Sequence, residues 1–342
     1  MSSSKIPPRS VGSEDDWPDF EAFTRRKAAN KPVLNRAKVL PPEEGNGTVT
    51  ELFPNQSAVL LDGKAAPSLC GYRMSTLAFG SAVRERSPVC VGDRVLVEAG
   101  VITGRCERRN RLLRPAPDAS DLTLHVLASN LDALVVVASA CEPGFNGGIV
   151  DRFLVAASAQ KIPAILCVNK ADLLAPGEER PWAHYVRAGV ALVEASARDG
   201  RGTGDLAALV RGKVSAFCGN SGVGKTSLLR RLLNDEDYGR TTAVNERSGM
   251  GRHTTSGAVM LAGPESSSFV DTPGVMNFGL YDVAADGLLP HFPELQAAAA
   301  SCPAGCAHED ESGCRLRALP RHESFRAIRR SLARGRTGEN LP

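Results

Sequence analysis

The sequence predicts a chain of three parts: a small all-β barrel, a parallel α/β domain and a short α-helical module built around a metal cluster. Three observations predict this. Between Gly45 and Arg109, the runs "GTVTELF", "SAVLLDG", "SLCGYRM", "SAVRER", "DRVLVEA" and "GVITGRCERR" are short and strand-like, separated by Gly, Asn, Asp or Pro. From Leu122 onward, apolar runs alternate with helical periodicity, the texture of a parallel sheet covered on both faces. Near the C-terminus, "CPAGCAHEDESGC" gathers three cysteines and a histidine.

Taken in order, residues 1–40 are rich in Ser, Pro and mixed charge and read as a disordered tail with a short helix in "DFEAFTRRKAA". Residues 41–115 form the barrel, whose size and strand count fit an oligonucleotide-binding (OB) fold. Residues 116–287 form the α/β domain, with strands at "LDALVVVASA", "PAILCVNK", "GVALVEASA", "KVSAFCG" and "SSSFVD" and helices at "IVDRFLVAASAQ", "GDLAALVRG" and "KTSLLRRLLN". Residues 288–342 form the Arg-rich helical module around the Cys/His cluster.

A hydrophobic content of 42% is enough to bury several cores. No apolar run reaches the roughly 18 residues of a membrane span. The N-terminal segment has no apolar core of a secretory signal, so the expected location is the cytoplasm, with no membrane partner. The net charge of +3 does not by itself argue for nucleic acid, but its distribution does. Five arginines lie between Gly104 and Arg114 and eight between Arg315 and Arg336, flanking the α/β domain as an RNA-contacting protein would. Six of the nine cysteines are scattered singly, several in strand-like runs, and read as small buried core residues.

The chemistry is carried by motifs in an unusual order. "GNSGVGKT" follows an apolar strand and opens a helix, the context of a phosphate-binding P-loop. Gly219, Gly222 and Gly224 let backbone N–H groups turn toward phosphate oxygens, with Asn220, Ser221 and Val223 completing the loop and Ser227 following it. Lys225 reaches the β- and γ-phosphates, Thr226 offers its hydroxyl to Mg²⁺, and the helix N-terminus favours the anion. "DTPG" ends the last strand: Asp271 is a carboxylate for Mg²⁺, and the Gly274 N–H faces the γ-phosphate. Between them, "GMGRHTTSG" is a switch segment in which Thr254 or Thr255 supplies a second hydroxyl to Mg²⁺, Thr255 being the chosen candidate.

"NKAD", which precedes the P-loop, reads guanine. Asp172 accepts from N1–H and the 2-amino group, Asn169 supports the loop, and Lys170 lies against base and ribose. In "ASA", the Ala197 N–H faces guanine O6 and Ser196 shapes the turn. The order is that of a GTPase cut and rejoined, a circular permutation that leads the γ-phosphate-sensing loops into the C-terminal module. Val275 occupies the place where Ras-like enzymes carry a water-orienting glutamine. His253, just before the threonines, is the candidate for that task; the alternative is a structural loop histidine. Cys302, Cys306, His308 and Cys314 form a closed structural zinc site. His125, His184, His291 and His322 have no such company and receive no role.

With the permuted order, the preceding barrel and the Cys-Cys-His-Cys cluster, the chain resembles the ribosome small subunit-dependent GTPase A (RsgA/YjeQ) family over residues 42–335. The resemblance implies an OB-fold barrel, a circularly permuted P-loop GTPase domain and an α-helical zinc-binding domain. It also implies a monomer that binds GTP and GDP with Mg²⁺ and one Zn²⁺. The activity it implies is GTP hydrolysis stimulated by the small (30S) ribosomal subunit, with contacts to 16S rRNA and a role in late maturation of that subunit. The family's switch histidine maps onto His253. Two departures stand out: "CPAGC" leaves three residues between the first two cysteines where the family leaves four, and "GYRMSTL" carries fewer basic residues than the family's barrel segment. An RNA-binding module in which GTP is only an on/off ligand, and a permuted GTPase of large-subunit assembly, are the competing readings.

Overall fold

The computed structural model describes residues 39–72, 84–85, 87–114, 123–239, 258–272, 280 and 283–334 of the chain. Strand β1 (Val39–Leu40) runs into the barrel strands β2 (Gly47–Phe53), β3 (Gln56–Leu61) and β4 (Ser68–Gly71). After the short β5 (Arg84–Glu85), β6 (Arg94–Glu98) and β7 (Val101–Cys106) complete the ring. The pairing β2–β3–β4–β7–β6–β2 closes on itself, antiparallel throughout except between β4 and β7. This is the strand order of an OB barrel. Val49, Val59, Cys70, Val95 and Ile102 fill it, the alternate residues of their strands.

Of the six strand-like runs, "SAVRER" does not join the barrel. Its Arg84–Glu85 pairs in parallel with Thr123 and Leu124, outside the ring. The β4–β7 contact already closes the ring without it. An antiparallel pair, β8 (Arg111–Arg114) and β9 (Thr123–Ser129), then leads into the second domain.

That domain runs β10 (Ala133–Ser139), α1 (Gly147–Ala159), β11 (Ala164–Asn169), α2 (His184–Arg187), β12 (Ala191–Glu194), α3 (Thr203–Val210), β13 (Val214–Cys218), α4 (Lys225–Leu233), β14 (Val259–Ala262) and β15 (Ser268–Asp271). The sheet order is β14-β15-β13-β10-β11-β12, parallel except for β14. β10 is buried along its whole length: Leu134, Val136 and Ala138 face one core and Ala133, Val135 and Val137 the other. α3 and α4 cover the second face. On the first face α1 packs with the C-terminal helices α5 (Pro293–Ala299) and α6 (His322–Ala333), through Phe153, Leu295, Phe325 and Ile328.

Both flanking modules are fastened to this domain. The barrel continues into its sheet, β2 pairing with β14 at Glu51 and Val259. Below that contact, buried Asp93 accepts from Arg108 (Nε 2.6 Å, Nη2 2.8 Å), from the Ser129 hydroxyl (2.7 Å) and from the Cys90 N–H (2.8 Å). At the other end, buried Arg321 donates to Asp151 of α1 (2.7 Å) and to Glu294 of α5 (3.0 Å). Its guanidinium also lies 4.5 Å from the Phe292 ring centroid and 5.2 Å from that of Tyr185.

The arginine runs are therefore partly internal. Besides Arg108 and Arg321, Arg105 is buried and donates to the Pro88 carbonyl (2.8 Å), while Arg109 pairs with Asp132 (2.8 Å). Arg326 pairs with Glu309 (3.0 Å) and Asp310. The expected core cysteines Cys70, Cys90, Cys106, Cys167 and Cys218 are buried, and burial pushes the Cys167 thiol up to about 12. Cys141 is half-buried.

Candidate functional site

The candidate residues converge where the parallel strands end. β11 delivers Asn169, β12 the 195–197 loop, β13 the P-loop and β15 Asp271, so one sheet edge carries them all. α4 begins at Lys225, as a phosphate-facing helix must.

Asn169 is the centre of the arrangement. Its side chain is 2% exposed. Nδ2 donates to the Val223 carbonyl of the P-loop (2.8 Å), and Oδ1 accepts from the Ala197 N–H (3.0 Å). One amide thus ties three loops that are far apart in sequence. Gly224 must be glycine beside it: φ is +91°, and a Cβ there would lie 2.2 Å from Asn169 Nδ2. The Ala197 N–H, expected to face guanine O6, donates to Asn169 in this structure.

The two base-side loops are laced together further. The Ala171 N–H donates to Ala195 O (3.0 Å), and the Ser196 N–H to Arg201 O (2.9 Å). Buried Ser196 Oγ accepts from the Asp199 N–H (3.2 Å). Lys170 adopts a left-handed backbone (φ 62°) and its ammonium donates to the Glu142 carbonyl. The Asp172 side chain is 14% exposed, and its nearest cation is the solvent-facing Arg198 at 3.9 Å. Its carboxylate therefore remains available to a paired donor such as the guanine edge. Arg231 of α4 reaches the same loop, donating to Ala197 O (3.0 Å) and Arg198 O (2.8 Å). Motif reading did not find Arg231; its position on the face of α4 toward the "ASA" loop is the only signal.

On the phosphate side, Lys225 Nζ donates to the carbonyls of Gly219 (2.6 Å) and Asn220 (2.9 Å). Burial pulls its pKa below the usual lysine value, against the pull of the Asp271 carboxylate. Thr272 Oγ1 donates to Phe217 O (2.6 Å), clipping the end of β15 to β13. The buried Asp271 carboxylate accepts from the Tyr238 hydroxyl at Oδ2 (2.6 Å). Carboxylate and hydroxyl oxygens, as on Asp271 and Thr226, are the donor type a hard divalent cation such as Mg²⁺ takes. His253, Thr254, Thr255, Gly274 and Val275 lie outside the described residues.

The second candidate site is the cysteine cluster. One ligand atom each from Cys302, Cys306, His308 and Cys314 all lie within 4.8 Å of one another. Three sulfurs and one imidazole nitrogen at this separation suit tetrahedral zinc. The shortened "CPAGC" still closes, because the Cys306 N–H bonds back to Pro303 O (3.1 Å) with Gly305 at φ +74°. The Arg315 N–H donates to Cys302 Sγ (3.3 Å). His322, given no role from sequence, holds the knuckle: its Nε2 meets the His308 carbonyl (2.9 Å). Glu311 accepts from the N–H groups of Ala307 and Glu309 (both 3.0 Å) and so orders the same loop. Among the described residues, no helix is long and apolar enough to cross a membrane.

Comparison with known proteins agrees with this geometry. Residues 105–281 match the family described as RsgA GTPase. A protein of Porphyromonas gingivalis named "Small ribosomal subunit biogenesis GTPase RsgA" is 36% identical over 257 residues, which is 70% of this chain and 81% of the relative. A protein of the same name from Azotobacter vinelandii is 37% identical over 290 residues, 81% of this chain and 80% of its own. Among solved structures, YjeQ from Thermotoga maritima superposes with a TM-score of 0.59 at 25% identity, covering 84% of this chain and 98% of that one. YloQ, described as a circularly permuted GTPase, shares the fold at the same TM-score and 21% identity. Permuted loops meeting at one sheet edge, an OB barrel before them and a Cys₃His cluster after them place the chain in the RsgA GTPase family, as a GTP hydrolase.

Proposed function

We propose that this GTPase acts on the small (30S) ribosomal subunit, which stimulates its GTP hydrolysis, and that hydrolysis is coupled to late maturation of that subunit. The observation that carries this reading is the Asn169 bridge. It makes a guanine-reading loop and a phosphate loop into one site although "NKAD" precedes the P-loop in the chain. The names of the similar proteins supply the ribosomal context.

In this reading the chain divides near residues 40, 115 and 287. Asp172 accepts from the guanine edge, Asn169 with Ser196 and Ala197 shapes the base pocket, and Lys170 lies along base and ribose. Residues 219–224 donate N–H groups to the phosphates, Lys225 binds the β- and γ-phosphates, and Ser227 supports the helix start. Thr226, Thr255 and Asp271 hold Mg²⁺, which when bound neutralises charge on the β- and γ-phosphates. His253 orients the attacking water and the Gly274 N–H faces the γ-phosphate. Cys302, Cys306, His308 and Cys314 hold one structural Zn²⁺. The barrel and the C-terminal module contact 16S rRNA, and the protein acts as a cytoplasmic monomer.

The test is GTP hydrolysis with no subunits, with purified small subunits and with large subunits. Stimulation by small subunits alone is expected; no stimulation, or equal stimulation by large subunits, overturns the proposal. His253→Ala should lower stimulated turnover with GTP binding retained, and unchanged turnover would leave His253 a structural residue.

A further inference from the structure

The turn that ends α4 lies against two of the three proposed magnesium ligands, Asp271 and Thr226. α4 stops at Asn234, which takes the left-handed conformation (φ 53°) of a helix C-cap. Asp235 then shapes the turn: its Oδ1 accepts from the N–H groups of Asp237 (3.0 Å) and Tyr238 (3.2 Å). Arg230, one turn back on α4, fixes the far side by donating to the Tyr238 carbonyl (2.5 Å). The turn is thereby tied to the same helix whose first residues are Lys225 and Thr226.

Two consecutive residues of this turn face the site. The Tyr238 hydroxyl donates to Asp271 Oδ2 at 2.6 Å, while its ring packs at the margin of the core beneath α3 and α4. Gly239 lies against Thr226: a Cβ there would come within 2.6 Å of Thr226 Cγ2. Tyr238 engages only Oδ2 of the carboxylate, and Oδ1 has no hydrogen-bond donor among the described residues. A carboxylate fixed through one oxygen presents the other in a set direction, the arrangement by which an outer hydrogen-bond partner orients a metal ligand.

We propose that Tyr238 is a positioning residue for divalent-cation binding, its hydroxyl holding the Asp271 carboxylate in the orientation that receives Mg²⁺. The proposal rests on the reading of Asp271 as a magnesium carboxylate. Tyr238 itself does not touch the nucleotide or the cation in this scheme. Its neighbour Gly239 lies against the Thr226 methyl from the same turn, so the turn approaches two of the proposed ligands.

The experiment is a Mg²⁺ titration of mant-GDP release from the full chain, compared among wild type, Tyr238→Phe and Asp271→Asn. Phenylalanine keeps the ring in the core margin and removes only the hydroxyl. In Tyr238→Phe the Mg²⁺ concentration at half effect should rise about tenfold, the lower end of the usual range for an outer-shell partner. Release without Mg²⁺ and the thermal midpoint in EDTA should match wild type, which a merely structural role for Tyr238 does not predict. A midpoint within twofold of wild type, in a series where Asp271→Asn shifts it strongly, overturns the role of Tyr238 and leaves Asp271 intact. An unshifted midpoint in Asp271→Asn overturns the magnesium role of Asp271, and the proposal for Tyr238 falls with it.

Discussion

Asp93 and Asp151 are both buried carboxylates bound to an arginine, one where the barrel meets the GTPase domain and one where the C-terminal module does. Their surroundings differ. Burial works to raise Asp93, but the Arg108 guanidinium, Arg105 and Ser129 hold its carboxyl below the usual range. Burial pushes Asp151 up, against the pull of Arg321. The backbones differ as well: the barrel shares a sheet with the GTPase domain through β2 and β14, whereas α6 and α1 meet through side chains. The barrel junction is thus a shared sheet pairing reinforced by a buried, hydrogen-bonded carboxylate. The C-terminal junction is an ion triad set in an apolar core of Phe153, Leu295, Phe325 and Ile328.

The largest effect separating them should come from Asp93→Ala. It takes from the buried Arg108 guanidinium its carboxylate and removes the acceptor of the Ser129 hydroxyl and the Cys90 N–H, a loss of about 3–5 kcal/mol. Chemical denaturation should show it, and amide exchange should speed up in β2, β6 and β13 together. Exchange confined to the barrel strands would mean that the shared sheet does not couple the two domains.

Arg321→Met should cost less, about 3 kcal/mol at pH 7, the lower end for breaking a buried pair, because the methionine side chain can still pack against Phe292 and Tyr185. Here α5 and α6 should lose amide protection while β2 and β6 keep theirs. Loss of protection in the barrel would erase the distinction between the junctions.

The two carboxylates should also respond to pH with opposite sign. A depressed folded-state pKa makes Asp93 a source of stability that is present above the ordinary Asp value, about 3.9, and lost as pH falls through the folded value. A raised folded-state pKa makes the Asp151 contribution present below about 3.9 and lost as pH rises through its folded value. Asp93→Asn should therefore flatten the acid limb of the stability curve, and Asp151→Asn should steepen it. The sign of each change, not its size, carries the comparison. Stability measured from pH 3 to 7 checks it; parallel curves for the two variants would contradict the opposite shifts.

These junctions also mark where sequence reading stopped. The P-loop, "NKAD", "ASA" and the cysteine cluster were legible because each is a short stretch in a strand-end or turn context, and the apolar runs of β10, β11 and β13 showed the sheet behind them. The OB barrel was legible as strands separated by turn residues, although the "SAVRER" run could not be excluded from it without the β4–β7 closure. Partners far apart in sequence were not legible: Arg321 and Asp151 are 170 residues apart, Tyr238 and Asp271 33. The arginine runs invited a surface reading because charge in a sequence does not show whether a side chain ends in water or on a carboxylate. Arg105, Arg108 and Arg321 end inside.

The smallest test of the C-terminal junction is its polar edge, where His291 Nδ1 meets Ser158 Oγ of α1 at 2.9 Å. Burial pulls the His291 pKa below its ordinary value, so the folded state favours the neutral ring. Its contribution is present above the ordinary histidine value, about 6.5, and is lost as pH falls through the lower folded value. Ser158→Ala removes a single hydrogen bond and should cost about 1 kcal/mol or less at pH 7.5. The thermal midpoints of wild type and Ser158→Ala should differ by less at pH 5.5 than at pH 7.5 if protonation of the ring weakens the junction by itself. An equal difference at both values would mean that the Ser158 contact persists with a charged ring.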